Sequence, residues 1–205
     1  MKKTSPRPRG RPRTLDREKA LEAALKLFWR HGYEGTSIAD LTAAMGTTPP
    51  SLYAAFGSKE QLYRDAVELY AASYGGFPAR ALAEEPSAYR AMERILAEAI
   101  EVYSAEARGC MLASGALTCA PEHQHVAREL ATLRLAAIAA IKARFDTAVA
   151  EGELDAGADT AALASFYAAV IQGLSIQARD GVKRAILQSM AAAALAAWPG
   201  KKPQS

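Results

Sequence analysis

The most constraining stretch of this chain runs from Thr36 to Leu62, TSIADLTAAMGTTPPSLYAAFGSKEQL. Start and stop signals follow one another there at a spacing that only short helices satisfy. Ser37, with Asp40 three residues later, supplies a hydroxyl and a carboxylate for orphan N–H groups. Ile38, Leu41 and Met45 then fall on one helical face. Gly46 stops the helix, because glycine enters the left-handed backbone without a Cβ clash. Thr48 caps a second helix with Pro49 at its first position, where the missing N–H is no loss. Leu52 and Phe56, four residues apart, face the core. Ser58 and Gln61 open a third helix, which begins Lys59-Glu60 and continues through Leu62.

Two short helices joined by such a turn form a helix-turn-helix, whose second helix can enter the DNA major groove; an ordinary helical hairpin has the same pattern. Further residues narrow the choice. Phe28, Gly32-Tyr33-Glu34-Gly35-Thr36-Ser37-Ile38, Leu41, Gly46, Leu52-Tyr53, Phe56 and Ser58-Lys59-Glu60 with Leu62 resemble, at fixed spacing, the N-terminal domain of TetR/AcrR transcriptional regulators. The rest of the chain is similar to that family only in length and helical pattern. The resemblance implies an all-α fold of about nine helices. A three-helix helix-turn-helix domain would stand at the N-terminus, followed by a helical bundle for ligand binding and dimerisation. The expected divisions are a basic flexible arm over residues 1–13, a DNA-binding domain over 14–60 and an effector-binding and dimerisation domain over 61–200. The implied function is a homodimeric repressor, released from a palindromic double-stranded DNA operator by a small hydrophobic or aromatic effector. Two alternatives stay open. One is a redox- or electrophile-sensing version acting through Cys110 or Cys119. The other is a helical ligand-binding or interaction module, or a bundle enzyme, that does not bind DNA.

Composition supports helices: half the residues are hydrophobic, alanine is abundant and β-branched runs are few. We expect the chain to hold no stretch of about 18 uncharged apolar residues, and so no membrane span. The basic N-terminus lacks the apolar segment of a signal peptide. No membrane partner and a cytoplasmic location are therefore expected. Two cysteines make neither a disulfide framework nor a zinc spacing. His123 and His125, two apart, face different sides of a helix, so no metal is expected. No cofactor and no enzyme activity are expected either, since phosphate-cradling glycine loops and nucleophile motifs are missing.

The net charge of +3 hides an asymmetry. Residues 1–13 hold six cations and no acid, which leaves −3 for the remainder. Within this arm Arg9-Gly10-Arg11-Pro12-Arg13 resembles the core of an AT-hook, which lies in a narrow minor groove; a solvated tail binding phosphates without preference is the alternative. Asp16 or Thr14 caps a helix reaching His31, with Leu21, Leu25 and Phe28 inside. Between Thr48 and Phe56 the reading helix offers few hydrogen-bonding groups: Thr47, Thr48 and Ser51. Pro49 and Pro50 either form an apolar ridge for thymine methyls or only stiffen the helix start. By the family resemblance, Thr36 meets a phosphate, although it serves equally as a helix cap. Tyr53 and Lys59 hold the DNA backbone by the same resemblance.

Gly75 to Pro86 reads as a loop holding at most a turn of helix. Residues 87–107 form a helix, with Met92, Ile95, Leu96, Ala99 and Tyr103 inside. Cys110 to Ala120 is apolar and uncharged and is expected to be a short buried helix, which would put Cys110 and Cys119 on opposite faces. Arg108 beside Cys110 is a charge that would lower the thiol's pKa. The longest helix covers Glu122 to Glu151, with Val126, Leu130, Leu133, Ala137, Ile141 and Phe145 inside. Tyr70, Tyr74, Phe77, Met92, Tyr103, Cys110, Met111, Leu117 and Cys119 are the candidates for a ligand cavity, each of them also a natural core residue. Two last helices, Ala161 to Arg179 and one holding Ile186 to Trp198, have wide apolar faces. By the resemblance they pair across a twofold axis, with Phe166, Val170, Gly173, Leu174, Ile186 and Met190 in the interface; an intramolecular core is the alternative.

Overall fold

The computed structural model describes residues 15–200. Arg9, Arg11 and Arg13 of the arm, Thr14, and the tail from Lys201 lie outside the described residues. Within them every regular element is helical: α1 (Arg17–His31), α2 (Ile38–Met45), α3 (Pro49–Phe56), α4 (Lys59–Ala72), α5 (Phe77–Glu84), α6 (Ala88–Ser104), α7 (Met111–Ser114), α8 (Gln124–Ala150), α9 (Thr160–Arg179) and α10 (Arg184–Ala196). Nine have eight residues or more, and α7 is a single turn.

The caps explain where the first helices begin and end. Asp16 accepts from the Lys19 amide. Ser37 and Asp40 exchange both bonds of a capping box, and Gly46 takes the left-handed conformation at φ 62° and ψ 38°. Ser58 accepts from the Gln61 amide at 3.0 Å. Thr48 holds the cap position of α3, but its hydroxyl pairs with Ser51 Oγ at 3.1 Å instead of covering a backbone N–H.

Two apolar clusters organise the molecule. The first joins Leu25, Phe28, Trp29, Leu41, Leu52 and Phe56 of the head to Leu62, Tyr63 and Tyr70 of α4, then to Met111, Ala116, Cys119, Val126 and Leu130. The head therefore shares its core with the body. The second packs α6 against α8, α9 and α10, with Phe145, Tyr167 and Trp198 stacked edge to face or tilted at centroid distances of 5.4–6.0 Å.

Four expectations need correction. Gly75 to Pro86 holds more than a turn of helix: the eight residues of α5 form there, Pro78 sits in its first turn and Phe77 and Ala81 are buried. Cys110 to Ala120 is not one buried helix. Only Met111–Ser114 is helical, and Leu117 is 59% exposed. Gly115 must come so close to the head that an added Cβ would lie 2.6 Å from Tyr63 Oη, and its carbonyl accepts from Tyr33 N at 2.8 Å. With the helix broken, the opposite-face relation of the two cysteines does not arise. Leu133 and Ala137 of α8 are exposed, not core. Finally, α9 is long and apolar enough to cross a membrane by length and composition, contrary to the expectation that no such stretch exists. It lies between α6, α8 and α10, with Ala164, Tyr167, Leu174 and Ala178 buried there.

Candidate DNA interface and ligand cavity

The inner face of α3 is fixed by Leu52 and Phe56, both buried. Helical periodicity then turns Thr48, Pro49, Pro50, Ser51, Tyr53 and Ala54 outward, where all are exposed. Tyr53 is 45% exposed. Thr47 is half-buried. Thr36 faces the other way: it is 1% exposed, and its hydroxyl donates to the Gly32 carbonyl at 2.7 Å. That bond ties down the end of α1 and leaves Ser37 to cap α2.

Lys59, at the first position of α4, is not a free surface lysine. Its ammonium lies 4.3 Å from the Tyr33 ring centre, in reach of a cation–π attraction. Burial lowers its pKa. Burial, with the nearby Glu60 charge, pushes the Tyr33 hydroxyl up to about 12. Glu34 accepts from Ala120 N at 3.0 Å and from His123 Nδ1 at 2.9 Å. The backbone N–H, then the histidine, hold its carboxyl below the usual range. His125 turns to Glu60 at 3.7 Å. The two histidines thus serve separate head–body contacts. Among the described residues no group of three or more His, Cys, Asp or Glu is placed to hold a metal ion.

A cavity of about 220 Å³ opens between α4, α5, α6, α8 and α9. Tyr70, Phe77, Tyr103 and Cys110 of the expected set meet there. Tyr70 Oη donates to Cys110 Sγ at 3.4 Å. The other five do not line this cavity. Met92 is in the bundle core, Met111 and Cys119 are in the head core, Tyr74 is exposed against Trp29, and Leu117 is in solvent. Arg108 stacks on Trp29 and pairs with Glu106. Sequence reasoning passed over Leu82, Ile138, Ile141, Gln172 and Arg134 as lining residues. Arg134 had a visible signal: it is a lone charge in the run LATLRLAAIAAI.

Trp29, also unforeseen, connects this cavity to the head. Its Nε1 donates to the Gly109 carbonyl at 2.9 Å, and its ring meets Tyr70 edge-on at 4.8 Å. On the opposite side, Cys110 N donates to Ser175 Oγ of α9 at 2.7 Å. The segment 108–110 is therefore clasped between the head and the bundle.

On the outer side of α9 and α10, Phe166, Val170, Gly173 and Met190 line a shallow apolar trough with Ala169 and Ala193. Ile186 is 54% exposed, outside the trough. Leu174 does not belong to this surface: seven residues after Tyr167, it shares that ring's inward face and is fully buried.

An exposed recognition-type helix in a capped helix-turn-helix, set on a bundle with an internal cavity, defines a one-component regulator architecture. Residues 20–66 match the family described as bacterial regulatory proteins, tetR family. Over 194 residues, 93% of this chain and 92% of the relative, the sequence is 34% identical to the HTH-type transcriptional repressor ComR of Escherichia coli (strain K12). It is 32% identical over 189 residues to the repressor BdcR of the same organism, covering 91% of this chain and 90% of BdcR. A cysteine mutant of the TetR family transcriptional regulator CifR, solved with 26 bp double-strand operator DNA, superposes with a TM-score of 0.88 at 42% identity, covering 93% of this chain and all of CifR. The chain belongs to the TetR family.

Proposed function

We propose that this chain is a DNA-binding transcriptional repressor. It works in the cytoplasm as a homodimer, on a palindromic duplex site, and is a binding protein without enzyme activity. A small apolar or aromatic molecule in the cavity releases it. The observation that carries this reading is the bare outer face of α3, Thr48 to Ala54, in a head whose other helices are closed around a core. ComR and BdcR are repressors by name, and CifR was solved on operator DNA. Residues 1–13 serve as the arm, with Arg9, Arg11 and Arg13 toward the minor groove. Residues 14–60 form the head, and 61–200 hold the effector and the second copy. Phe166, Val170, Gly173 and Met190 face that copy.

The test is a mobility shift with duplexes from around the protein's own gene. Binding to one duplex that weakens with rising salt is expected. Absence of binding to any duplex overturns the reading. Phe166→Asp is expected to give a monomer by light scattering and to abolish the shift.

One observation favours a second reading, in which Cys110 senses oxidants or electrophiles: its thiol lines the cavity. Cys119 is the poorer candidate, since burial pushes its thiol pKa up. Cys110→Ser would then abolish release by such reagents, and an unchanged response excludes this version.

A further inference from the structure

We infer that the molecule this cavity takes is an anion: an aromatic or short aliphatic carboxylate whose charged end sits on Arg134. The inference rests on the cavity reading above and adds the ligand's charge to it.

Arg134 is the one charged residue among those that line the cavity. The other lining residues are mostly alanine, leucine, isoleucine and aromatic. Its Nη1 donates to the Leu112 carbonyl at 2.8 Å. Among the described residues it has no carboxylate partner. Other arginines do: Arg17, Arg64, Arg90 and Arg94 each hold an acid within 3.0 Å. A guanidinium has five N–H donors, so most of this fork remains free beside the cavity. Arg134 is half-buried, so its charge is held beside apolar walls with no acid to balance it. With no ion pair to an acid among the described residues, an incoming anion would complete the site.

The remaining polar groups agree. Cys110 offers a thiol and Gln172 an amide that can donate a hydrogen bond, while the Tyr70 hydroxyl proton is already given to Cys110. No carboxylate lines the space to repel a negative charge. The bond to Leu112 fixes the fork, so less side-chain freedom is lost on binding. Size sets the rest of the molecule. An apolar cavity of about 150 Å³ holds benzene, so about 220 Å³ takes one ring with a short arm. Phe77 and Ile141 supply the apolar walls for it.

The experiment is calorimetric titration of the full chain with phenylacetate and with its neutral isostere phenylacetamide at neutral pH. The acid is expected to bind about tenfold tighter or better, as befits one charge-assisted contact. Arg134→Gln is expected to erase that gap by weakening the acid far more than the amide, and Arg134→Lys to keep part of it. Circular dichroism and thermal melting establish that each variant is folded. Equal affinity of acid and amide for the natural protein overturns the inference, as does an Arg134→Gln protein that still prefers the acid. Ala137→Phe, which fills the cavity, separates this failure from that of the cavity reading. If the amide binds and Ala137→Phe blocks it, the cavity stands and only the charge is wrong. If Ala137→Phe blocks neither probe, or neither binds the natural protein, both fall.

Discussion

Replacing Lys59 with alanine separates two roles that the structure superimposes. The ammonium lies over the Tyr33 ring, and the same position, at the start of α4 beside α3, is where we propose a phosphate contact. Loss of the cation–π attraction costs about 0.5–1 kcal/mol, a fall of about 1–4 °C in melting temperature for a chain of this size. Loss of one phosphate contact lowers the slope of log K against log salt by about 0.9 per head. Between about 50 and 200 mM salt, natural and variant affinities then converge by about 3.5-fold per head. Fluorescence anisotropy with a labelled operator duplex and a scrambled duplex, over a salt series, reads both. The variant is expected to weaken on the two duplexes alike, with the shallower slope. Lys59→Arg retains the charge and is expected to retain the slope. An unchanged slope in Lys59→Ala, or an altered preference between duplexes, refutes the phosphate role. A melting temperature lowered with DNA binding intact would leave Lys59 as a clamp on Tyr33 alone.

Three other outcomes follow from the packing and the charges. Glu34 is held below the usual carboxylate range by Ala120 N–H and His123, and Glu129 by Arg64. Depressed carboxyl pKa values give stability that is present above the unfolded value of about 4.3 and lost as pH falls through the folded value. The melting temperature is expected to drop below about pH 4.3, and a Glu34→Gln, Glu129→Gln protein to drop less; an identical acid limb excludes these two groups. Phe145→Ala empties a fully buried site between Tyr167 and Trp198, for a loss of about 3–5 kcal/mol in urea unfolding. Gly115→Ala places a methyl 2.5 Å from the Met111 carbonyl and 2.6 Å from Tyr63 Oη, and is expected to cost about 1–3 kcal/mol by overpacking. An unshifted melting temperature would mean that the loop gives way.

The head was legible because its signals are local. Ser37, Asp40, Gly46 and Ser58 act on backbone groups within four residues, so their meaning does not depend on the rest of the fold. Gly75 to Pro86 and Cys110 to Ala120 were misread because their structure is set by distant partners, whereas the helix between them, with Met92, Ile95, Leu96, Ala99 and Tyr103 inside, stands where its periodicity puts it. Phe77 makes α5 worthwhile only once Tyr103 is there to pack against it. Cys110 to Ala120 carries no charge, yet it breaks at Gly115 because Tyr33 of the head and Tyr63 of α4 occupy the space a longer helix would need. For the cavity, composition was a poor guide. Met92 and Leu133 are both apolar residues on helical stripes, but one is sealed in the core and the other borders the cavity. Periodicity gives the face a residue takes, not whether a neighbour fills it. Leu174 shows the same limit: its helix has two apolar sides, and only the fold says which one turns outward.

The proposed release depends on α4 because it is the element common to both ends of the mechanism. Tyr70 lines the cavity near its C-terminal end, and Lys59 begins it beside the reading helix. Between them, Arg64 grips Glu129 of α8 with two bonds of 2.7 and 2.9 Å. Fourteen residues of helix make a rod of about 21 Å, so a tilt of about 5° moves one end by about 2 Å relative to the other. In a dimer the two reading helices must stay about 34 Å apart to meet successive turns of one groove, and such a shift in each head spoils that match. A ligand can drive it only as far as it binds the tilted state better than the DNA-bound one. With allosteric couplings of about 1–3 kcal/mol, contacts made by Tyr70 and Trp29 alone are of the right size. An edge-on aromatic pair is worth about 0.5–1.5 kcal/mol, and the buried Trp29–Gly109 hydrogen bond about as much again. Neither the reading helix nor the cavity wall has to unfold for the signal to pass.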